Sequence, residues 1–220
     1  MYPQREEIGV RAFKGTTTVG IVCTDGVVLG TDTRATSGFF VASKQAKKLH
    51  KIDEHVAMTI AGTVADAQAL LDVLKVNATL YRLRTGYPIS IGAIARLTAN
   101  ILFSNRLFPL ELQAIIAGVD SSGPHLFALD PLGSLTEERY MATGSGSPIA
   151  FGVLEDGYRD GLRVEEAIPI AIRALYSALK RDVGTGDGID VATITEKEGY
   201  RELTLDEKRR RLEELGVRIL

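Results

Sequence analysis

The chain has 220 residues, of which 45% are hydrophobic and 25% charged, and its formal net charge is −2. These values fit a globular domain with a full core, and they give no reason to expect nucleic acid or an anionic membrane as a partner. The single cysteine, Cys23, excludes an intrachain disulfide and favours a reducing, cytoplasmic setting. No stretch approaches the ~20 apolar residues that a membrane span requires.

Residues 1–15 mix charged residues with few apolar ones and contain no apolar segment of the secretory type. They fit either an ordinary chain terminus or a propeptide. The choice between the two depends on the chemistry of the residues from position 16 onward.

The first half of the chain predicts strands followed by two helices. The β-branched, apolar runs 17–22 and 27–32 flank the turn sequence Thr24-Asp25-Gly26 and predict a hairpin. Because residues 27–29 are apolar at consecutive positions, both faces of the second strand are expected to be covered. The other predicted elements of this half are a strand over 56–61 and helices over 64–84 and 89–107.

The second half predicts the same order again, ending in a strand and a charged helix. Ser147-Pro148 is typical of an N-cap followed by proline at the first helical position. Strands are predicted over 112–119, 125–129, 139–142 and 189–195, and helices over 147–154, 164–180 and 206–215. This order predicts an α+β fold, a four-layer αββα sandwich of two stacked antiparallel sheets flanked by helix pairs. A doubly wound parallel sheet would alternate strand and helix instead.

The familiar motifs of metal, serine, cysteine and phosphate chemistry are absent from the sequence. His50, His55 and His125 stand in no metal-binding motif, and no nucleophile elbow is present. Residues 144–147 lack the lysine of a P-loop, and residues 184–188 lack the acidic ligands of an EF-hand. We therefore expect neither a metal nor an organic cofactor.

Four short motifs remain near the start of the chain. They are Gly15-Thr16-Thr17-Thr18, Asp32-Thr33-Arg34, Lys47-Lys48-Leu49 and Ile60-Ala61-Gly62. Each alone also fits an ordinary structural role, such as a strand start, a solvated strand end, a charged surface run or a turn glycine. Together, in this order and spacing, they resemble the β subunits of the 20S proteasome, which are N-terminal nucleophile hydrolases.

The resemblance extends along essentially the whole chain and is nearest to the archaeal kind of β subunit, with a short leader and a Gly-Thr processing junction. Later matches are Asp66-Ala67, Thr143-Gly144-Ser145-Gly146-Ser147-Pro148, Arg181-Asp182 and Ile189-Asp190-Val191-Ala192. By this resemblance, residues 1–15 are a propeptide and residues 16–220 form a single domain.

The resemblance implies a chemical role for the early matched residues. Thr16 corresponds to the catalytic threonine, which becomes the mature N-terminus when the bond after Gly15 is cut. Asp32 and Lys48 correspond to the acid and the lysine beside it. A free α-amino group on Thr16 would have a pKa of about 7.7–8.0, which suits a general base, and a cationic Lys48 would lower it further. While Gly15 is attached, that nitrogen is an amide and cannot act as a base.

The resemblance also implies roles for residues farther along the chain. Gly62 corresponds to the glycine whose N–H forms the oxyanion hole. Ser145 and Asp182 correspond to residues that order the N-terminal region, and Arg34 to a supporting residue near the lysine. At Thr185 the family commonly has serine, so a hydroxyl with a hydrogen-bonding role is kept.

A substrate pocket is also implied, and its walls are small or apolar with no acidic group. The matched positions are Ala35, Thr36, Ala46, His50, Ile60, Val64 and Gln68. Such a pocket predicts cleavage after large hydrophobic residues, a chymotrypsin-like preference. Each of these residues also fits an ordinary core or helix position.

The family implies heptameric β rings stacked against α-subunit rings, with unfolded polypeptides delivered by an ATP-dependent unfoldase. Two other interpretations remain open. One is a catalytically silent ring subunit, which the joint presence of Thr16, Asp32 and Lys48 disfavours. The other is an amidase of smaller substrates or the related bacterial two-ring protease.

Overall fold

The computed structural model of the protein describes residues 15–216. The predicted propeptide therefore lies outside the described residues, except for Gly15. The strands are β1 (Thr18–Val22), β2 (Gly26–Asp32), β3 (Ala35–Ser37), β4 (Phe40–Ser43), β5 (Leu49–Asp53), β6 (Val56–Gly62), β7 (Leu112–Asp120), β8 (Gly123–Leu129), β9 (Leu135–Glu137), β10 (Tyr140–Thr143), β11 (Ile189–Thr195) and β12 (Gly199–Glu202). The helices are α1 (Val64–Thr85), α2 (Ile91–Ser104), α3 (Ser147–Gly157), α4 (Val164–Arg181) and α5 (Leu205–Glu214).

Two antiparallel five-stranded sheets form the centre of the fold. The first has the strand order β10-β1-β2-β11-β12, and the second the order β5-β6-β7-β8-β9. A separate hairpin pairs β3 with β4. Helices α3 and α4 pack on the first sheet, and α1 and α2 on the second. This arrangement confirms the predicted α+β sandwich.

Strand β2 shows why the sandwich needs four layers. All seven of its residues are buried, as the unbroken apolar run predicts. Val28 packs into the core beneath α3 and α4, whereas Val27 and Leu29 pack between the sheets against Ile115 and Leu126 of the second sheet. Both faces of this strand are therefore covered, and Asp32 at its end is held in a dry environment.

All five helices lie where the sequence predicts them, with shifted ends. Helix α2 begins at Ile91 and not at Ile89, because the Ser90 hydroxyl accepts the Ala93 N–H at 3.3 Å and caps the helix. The prediction that Ser147 is an N-cap is wrong: Gly146 is the N-cap, and Ser147 is the first residue of α3. The chain thus turns into the helix one residue earlier than the Ser-Pro pair suggests.

Five short strands were not predicted from the sequence, namely β3, β4, β5, β9 and β12. They contain three to five residues each and mix polar with apolar positions, so they show no clear two-residue alternation. All five lie at the edge of a sheet or in the separate hairpin. Their pairing with a neighbour creates the strand, and local sequence does not.

Cys23 lies in the core, with its side chain buried beneath α3 and α4. Burial raises the pKa of its thiol to about 12, with the nearby carboxylate of Asp25 adding to the effect. The thiol is therefore an inert packing group, as the sequence predicts. Within residues 15–216, no helix has the length and apolar character needed to cross a membrane.

Candidate active site

Thr16 lies directly before β1, where its side chain enters a buried polar site. The residue is only 5% exposed. Its Oγ1 donates to the Gly15 carbonyl oxygen at 2.6 Å and accepts from Lys48 Nζ at 3.0 Å. Its N–H donates to Ser145 Oγ at 3.1 Å. The hydroxyl of Thr16 is thus held between a lysine and the carbonyl group of the residue before it.

Asp32 and Lys48 form a buried ion pair next to Thr16. Lys48 Nζ donates to Asp32 Oδ1 at 2.6 Å. The same carboxylate accepts three backbone N–H groups, those of Thr17 at 3.0 Å, Arg34 at 3.1 Å and Gly186 at 3.0 Å. These donors satisfy the carboxylate in a site that excludes water, so the carboxylate can hold Lys48 in one position.

Burial shifts the pKa of both members of this pair toward the neutral form. Desolvation raises the pKa of Asp32, and the Lys48 ammonium together with the backbone donors opposes that rise. Desolvation also lowers the pKa of Lys48, and Asp32 opposes that fall. Lys48 consequently gives up a proton more readily than an ordinary lysine, and it does so within hydrogen-bond distance of the Thr16 hydroxyl.

A second group of side chains joins the start of β1 to the end of α4. Ser145 Oγ donates to Asp182 Oδ2 at 2.6 Å, while it accepts the Thr16 N–H. Thr185 Oγ1 donates to the same Asp182 oxygen and contacts Thr17 Oγ1 at 2.6 Å. The structure therefore brings Ser145, Asp182 and Thr185 together around the Thr16 backbone.

Gly62 ends β6 with a backbone that a larger residue would not adopt. Its φ is +145°, and a Cβ there would lie 2.0 Å from the Glu111 carbonyl oxygen. The Ile60 N–H donates to the Lys48 carbonyl oxygen at 2.9 Å, and the Thr63 N–H donates to Glu111 on the opposite side at 2.8 Å. Because N–H directions alternate along a strand, the Gly62 N–H points to the Lys48 side. The role of the Gly62 N–H as an oxyanion donor stays a prediction.

Arg34 contributes to the site mainly through its backbone. Its N–H donates to Asp32, whereas its guanidinium group turns to the loop between α4 and β11. There Nε donates to Asp187 Oδ2 at 2.8 Å, and Nη1 donates to the Val183 carbonyl oxygen at 3.1 Å. The expected supporting role near Lys48 stays a prediction.

The predicted pocket residues lie on five parts of the fold, namely β3, the segment between β4 and β5, β5, β6 and α1. Thr36 in β3 accepts the Gly15 N–H at 2.9 Å, so this hairpin borders the predicted cleavage point. Ile60 in β6 and His50 in β5 face the helix layer, since Met58, the cross-strand partner of His50, packs there beside Ile60. Ala35 lies in β3, Ala46 lies between β4 and β5, and Val64 and Gln68 are exposed in the first turns of α1. Their joint use as a substrate pocket stays a prediction.

A cavity of about 1520 Å³ opens beside α5 and is lined in part by Lys44, Asp190 and Lys208. None of the predicted pocket or catalytic residues lines it. Among residues 15–216, no group of three His, Cys, Asp or Glu side chains is arranged to hold a metal ion.

Several contributors to the site were missed in the sequence. Gly186 supplies a donor to Asp32, and Thr17 contacts Thr185. Thr18 Oγ1 contacts Thr143 Oγ1 at 2.7 Å and accepts from Thr59 Oγ1 at 3.0 Å, which links the two sheets next to the site. Two features of the sequence could have indicated these contacts. In the run of three threonines, alternate side chains face opposite sides of the strand. In the stretch 184–188, the glycines allow a close approach of the backbone.

Gly144 gives a direct test of how tightly Thr16 is held. Its φ is +89°, and an added Cβ would lie 2.2 Å from the Thr16 carbonyl oxygen. We expect Gly144→Ala to lower the free energy of unfolding by about 2–4 kcal/mol, since backbone strain and overpacking combine where the added Cβ meets the Thr16 backbone.

Gly152→Ala is the matched control for this substitution, because Gly152 is exposed in α3 with nothing within 4 Å of an added Cβ. Its helical position predicts a gain of about 0.5–1 kcal/mol. Urea unfolding of both variants measures the difference, and equal free energies of unfolding would contradict the tight packing at Gly144.

Comparison with known proteins shows which family and which relatives this chain resembles. The family model described as "Proteasome subunit" matches residues 12–194. The chain is 53% identical over 204 residues to the proteasome subunit beta of Methanothermobacter thermautotrophicus. This alignment covers 93% of the chain and 97% of the relative. It is 53% identical over 206 residues to that of Ferroglobus placidus, covering 93% and 98%, respectively. The proteasome subunit beta of Methanocaldococcus fervens is 56% identical over 191 residues, covering 86% and 85%.

Proposed function

The chain belongs to the proteasome subunit family, and from this membership we propose that it is a catalytic β subunit, a threonine-type endopeptidase that cuts unfolded polypeptides. One observation carries the proposal. Lys48 Nζ contacts both Asp32 Oδ1 at 2.6 Å and Thr16 Oγ1 at 3.0 Å inside a buried site. A catalytically silent subunit would have no use for a buried ion pair directed at a hydroxyl.

The first reaction is the removal of residues 1–15 as a propeptide. Thr16 Oγ1 attacks the Gly15 carbonyl carbon, the C–N bond between the two residues breaks, and the Gly15 acyl group passes to the oxygen as an ester. Lys48, in the neutral form that burial favours by lowering its pKa, takes up the hydroxyl proton and passes it to the departing Thr16 nitrogen, which becomes an amine. Water then hydrolyses the ester and leaves residues 16–220 with a free N-terminus.

Two contacts support this internal step. Thr16 Oγ1 lies 2.6 Å from the Gly15 carbonyl oxygen, so the hydroxyl already contacts the group that it would attack. The Thr16 nitrogen is still an amide that donates to Ser145, and an amide nitrogen cannot accept a proton. Lys48 is the basic side chain that contacts the hydroxyl at this stage, and burial lowers its pKa.

Peptide cleavage then follows the same chemistry with an external carbonyl group. The new α-amino group of Thr16, with a pKa of about 7.7–8.0, accepts the hydroxyl proton, and Lys48 beside it keeps that pKa low. The hydroxyl oxygen attacks the scissile carbonyl carbon, and the Gly62 N–H stabilises the oxyanion, a contribution of about 3–4 kcal/mol in comparable sites. The leaving amine takes the proton, and water releases the acyl group.

The assembly and location of the subunit are part of the proposal. We infer heptameric β rings stacked with α-subunit rings, to which an ATP-dependent unfoldase delivers substrate in the cytoplasm. Enclosure in such a chamber would keep a nucleophile of broad specificity away from folded cellular proteins. The buried, unpaired thiol of Cys23 is compatible with a reducing compartment.

Reporter peptides with different P1 side chains test the activity and the preference together. The assembled particle is expected to hydrolyse reporters with a large hydrophobic P1 residue at least ~10-fold faster than acidic or basic ones, because the proposed pocket combines small and apolar walls. Faster cleavage of charged reporters would overturn the preference. Absence of peptide hydrolysis would favour a silent subunit, and turnover of small amides alone would favour an amidase.

A further inference from the structure

Asp187 has an unusual backbone conformation for a residue with a side chain. Its φ is +67°, and it is the one non-glycine residue between positions 15 and 216 with a positive φ. Aspartate tolerates this left-handed region better than most residues, but the conformation still costs free energy. Asp187 lies in the 182–188 loop between α4 and β11, with Gly186 before it and Gly188 after it. Such outliers concentrate at functional sites, so the contacts of Asp187 are informative.

The Asp187 carboxylate pairs with Arg34, which follows β2. Arg34 Nε donates to Asp187 Oδ2 at 2.8 Å, and both side chains are largely buried. The guanidinium group also donates through Nη1 to the Val183 carbonyl oxygen at 3.1 Å. It lies flat over Gly186, where an added Cβ would be 2.2 Å from Arg34 Cζ. Arg34 therefore binds the loop at Val183 and at Asp187 and packs against Gly186 between them.

The loop held by Arg34 provides a hydrogen-bond donor to the buried Asp32 carboxylate. The Gly186 N–H donates to Asp32 Oδ2 at 3.0 Å, and the Arg34 N–H donates to the same oxygen at 3.1 Å. On the other side of Asp187, the Gly188 carbonyl oxygen accepts the Thr33 N–H at 3.1 Å. A shift of the loop would therefore withdraw one donor from Asp32 and change how that carboxylate is held.

We propose that Asp187 is a positioning residue, which holds the 182–188 loop through Arg34 so that the Gly186 N–H donates to Asp32. The effect of Asp187 on catalysis rests on the proposed function. A change in how Asp32 is held would alter the position of Lys48 and, through Lys48, its contact with the Thr16 hydroxyl. Asp187 itself does not touch the reacting atoms. Loss of its carboxylate should slow the chemical step and leave substrate binding nearly unchanged.

Two variants separate the charge of Asp187 from its backbone conformation. Asn and Gly both tolerate a left-handed backbone, so neither Asp187→Asn nor Asp187→Gly introduces strain. The matched control is Asp160→Asn, because Asp160 forms an exposed pair with Arg139 at 2.7 Å on the surface. For each purified, assembled protein, kcat and KM are measured with a peptide reporter, and amide hydrogen exchange is measured across residues 183–190.

We expect both Asp187 variants to lower kcat about tenfold with KM within about twofold of the original value. We also expect faster exchange of the Gly186 amide, while Asp160→Asn changes neither. Unchanged Gly186 exchange or unchanged kcat in both variants would overturn the proposal. If the unmodified protein hydrolyses no peptide, the proposed function has failed, and the exchange measurement still decides whether Asp187 positions the loop.

Discussion

Replacing Thr16 with alanine is expected to reduce peptide hydrolysis by at least ~10⁴-fold, because removal of a covalent nucleophile leaves only binding and oxyanion stabilisation. The Thr16 hydroxyl is the group that Lys48 Nζ contacts at 3.0 Å, and no second hydroxyl is bonded to Lys48 among the described contacts. Thr16→Ser keeps the oxygen and should retain measurable activity. Initial rates with a hydrophobic reporter peptide, measured on assembled particles, give the comparison.

A threonine on the surface provides the control for this substitution. Thr136 lies exposed in β9, at the far edge of the second sheet, so Thr136→Ala should leave the rate within about twofold. Retention of more than a tenth of the original rate by Thr16→Ala, with contaminating peptidases excluded by an inactive mock preparation, would contradict the assignment of the nucleophile.

Replacing Lys48 with methionine is expected to lower kcat by about 10²–10⁴-fold, because the substitution keeps an unbranched side chain, one atom shorter, but removes the proton-carrying group beside the hydroxyl. It also leaves Asp32 as a buried carboxylate without its cation. Breaking a buried pair in this way typically costs about 3–5 kcal/mol, although the three backbone donors to Asp32 should keep the loss near the lower end. Reporter hydrolysis and urea unfolding measure the two effects.

The neighbouring residue is a matched control for Lys48. Lys47 pairs with Glu202 at 2.8 Å on the surface, and both side chains are largely exposed. Lys47→Met should therefore change the free energy of unfolding by less than about 1 kcal/mol and leave kcat unchanged. Similar kinetic losses in the two variants would show that the proposed role of Lys48 is wrong.

The long elements of the fold could be predicted from sequence because their patterns are local. All five helices and the seven predicted strands show either helical spacing or strand-like apolar runs, and β2 is covered on both faces as its sequence predicts. Strand β5 was missed, since its sequence Leu49–Asp53 lacks the two-residue alternation of a strand and becomes a strand through pairing with β6. The end of α2 was overextended because apolar spacing continues past Ser104.

Only the site residues that belong to short sequence motifs could be predicted from the sequence. The order of Thr16, Asp32 and Lys48 along the chain identified residues that the structure joins by hydrogen bonds. The contacts of Asp187 and Gly186 were missed, since they lie more than 150 residues from Arg34 and Asp32 and depend on the path of a loop. Spacing in sequence carries no information on such nonlocal contacts without a known fold.

The central claim is that Thr16 becomes the nucleophile when the bond after Gly15 is cut, and the intact mass of the chain in active particles tests it most directly. The unmodified protein is expected to have the mass of residues 16–220, and the Thr16→Ala variant, assembled without other active subunits, the mass of the full chain. Particles that hydrolyse peptides while every chain keeps residues 1–15, or a Thr16→Ala chain that loses them unaided, would contradict the claim.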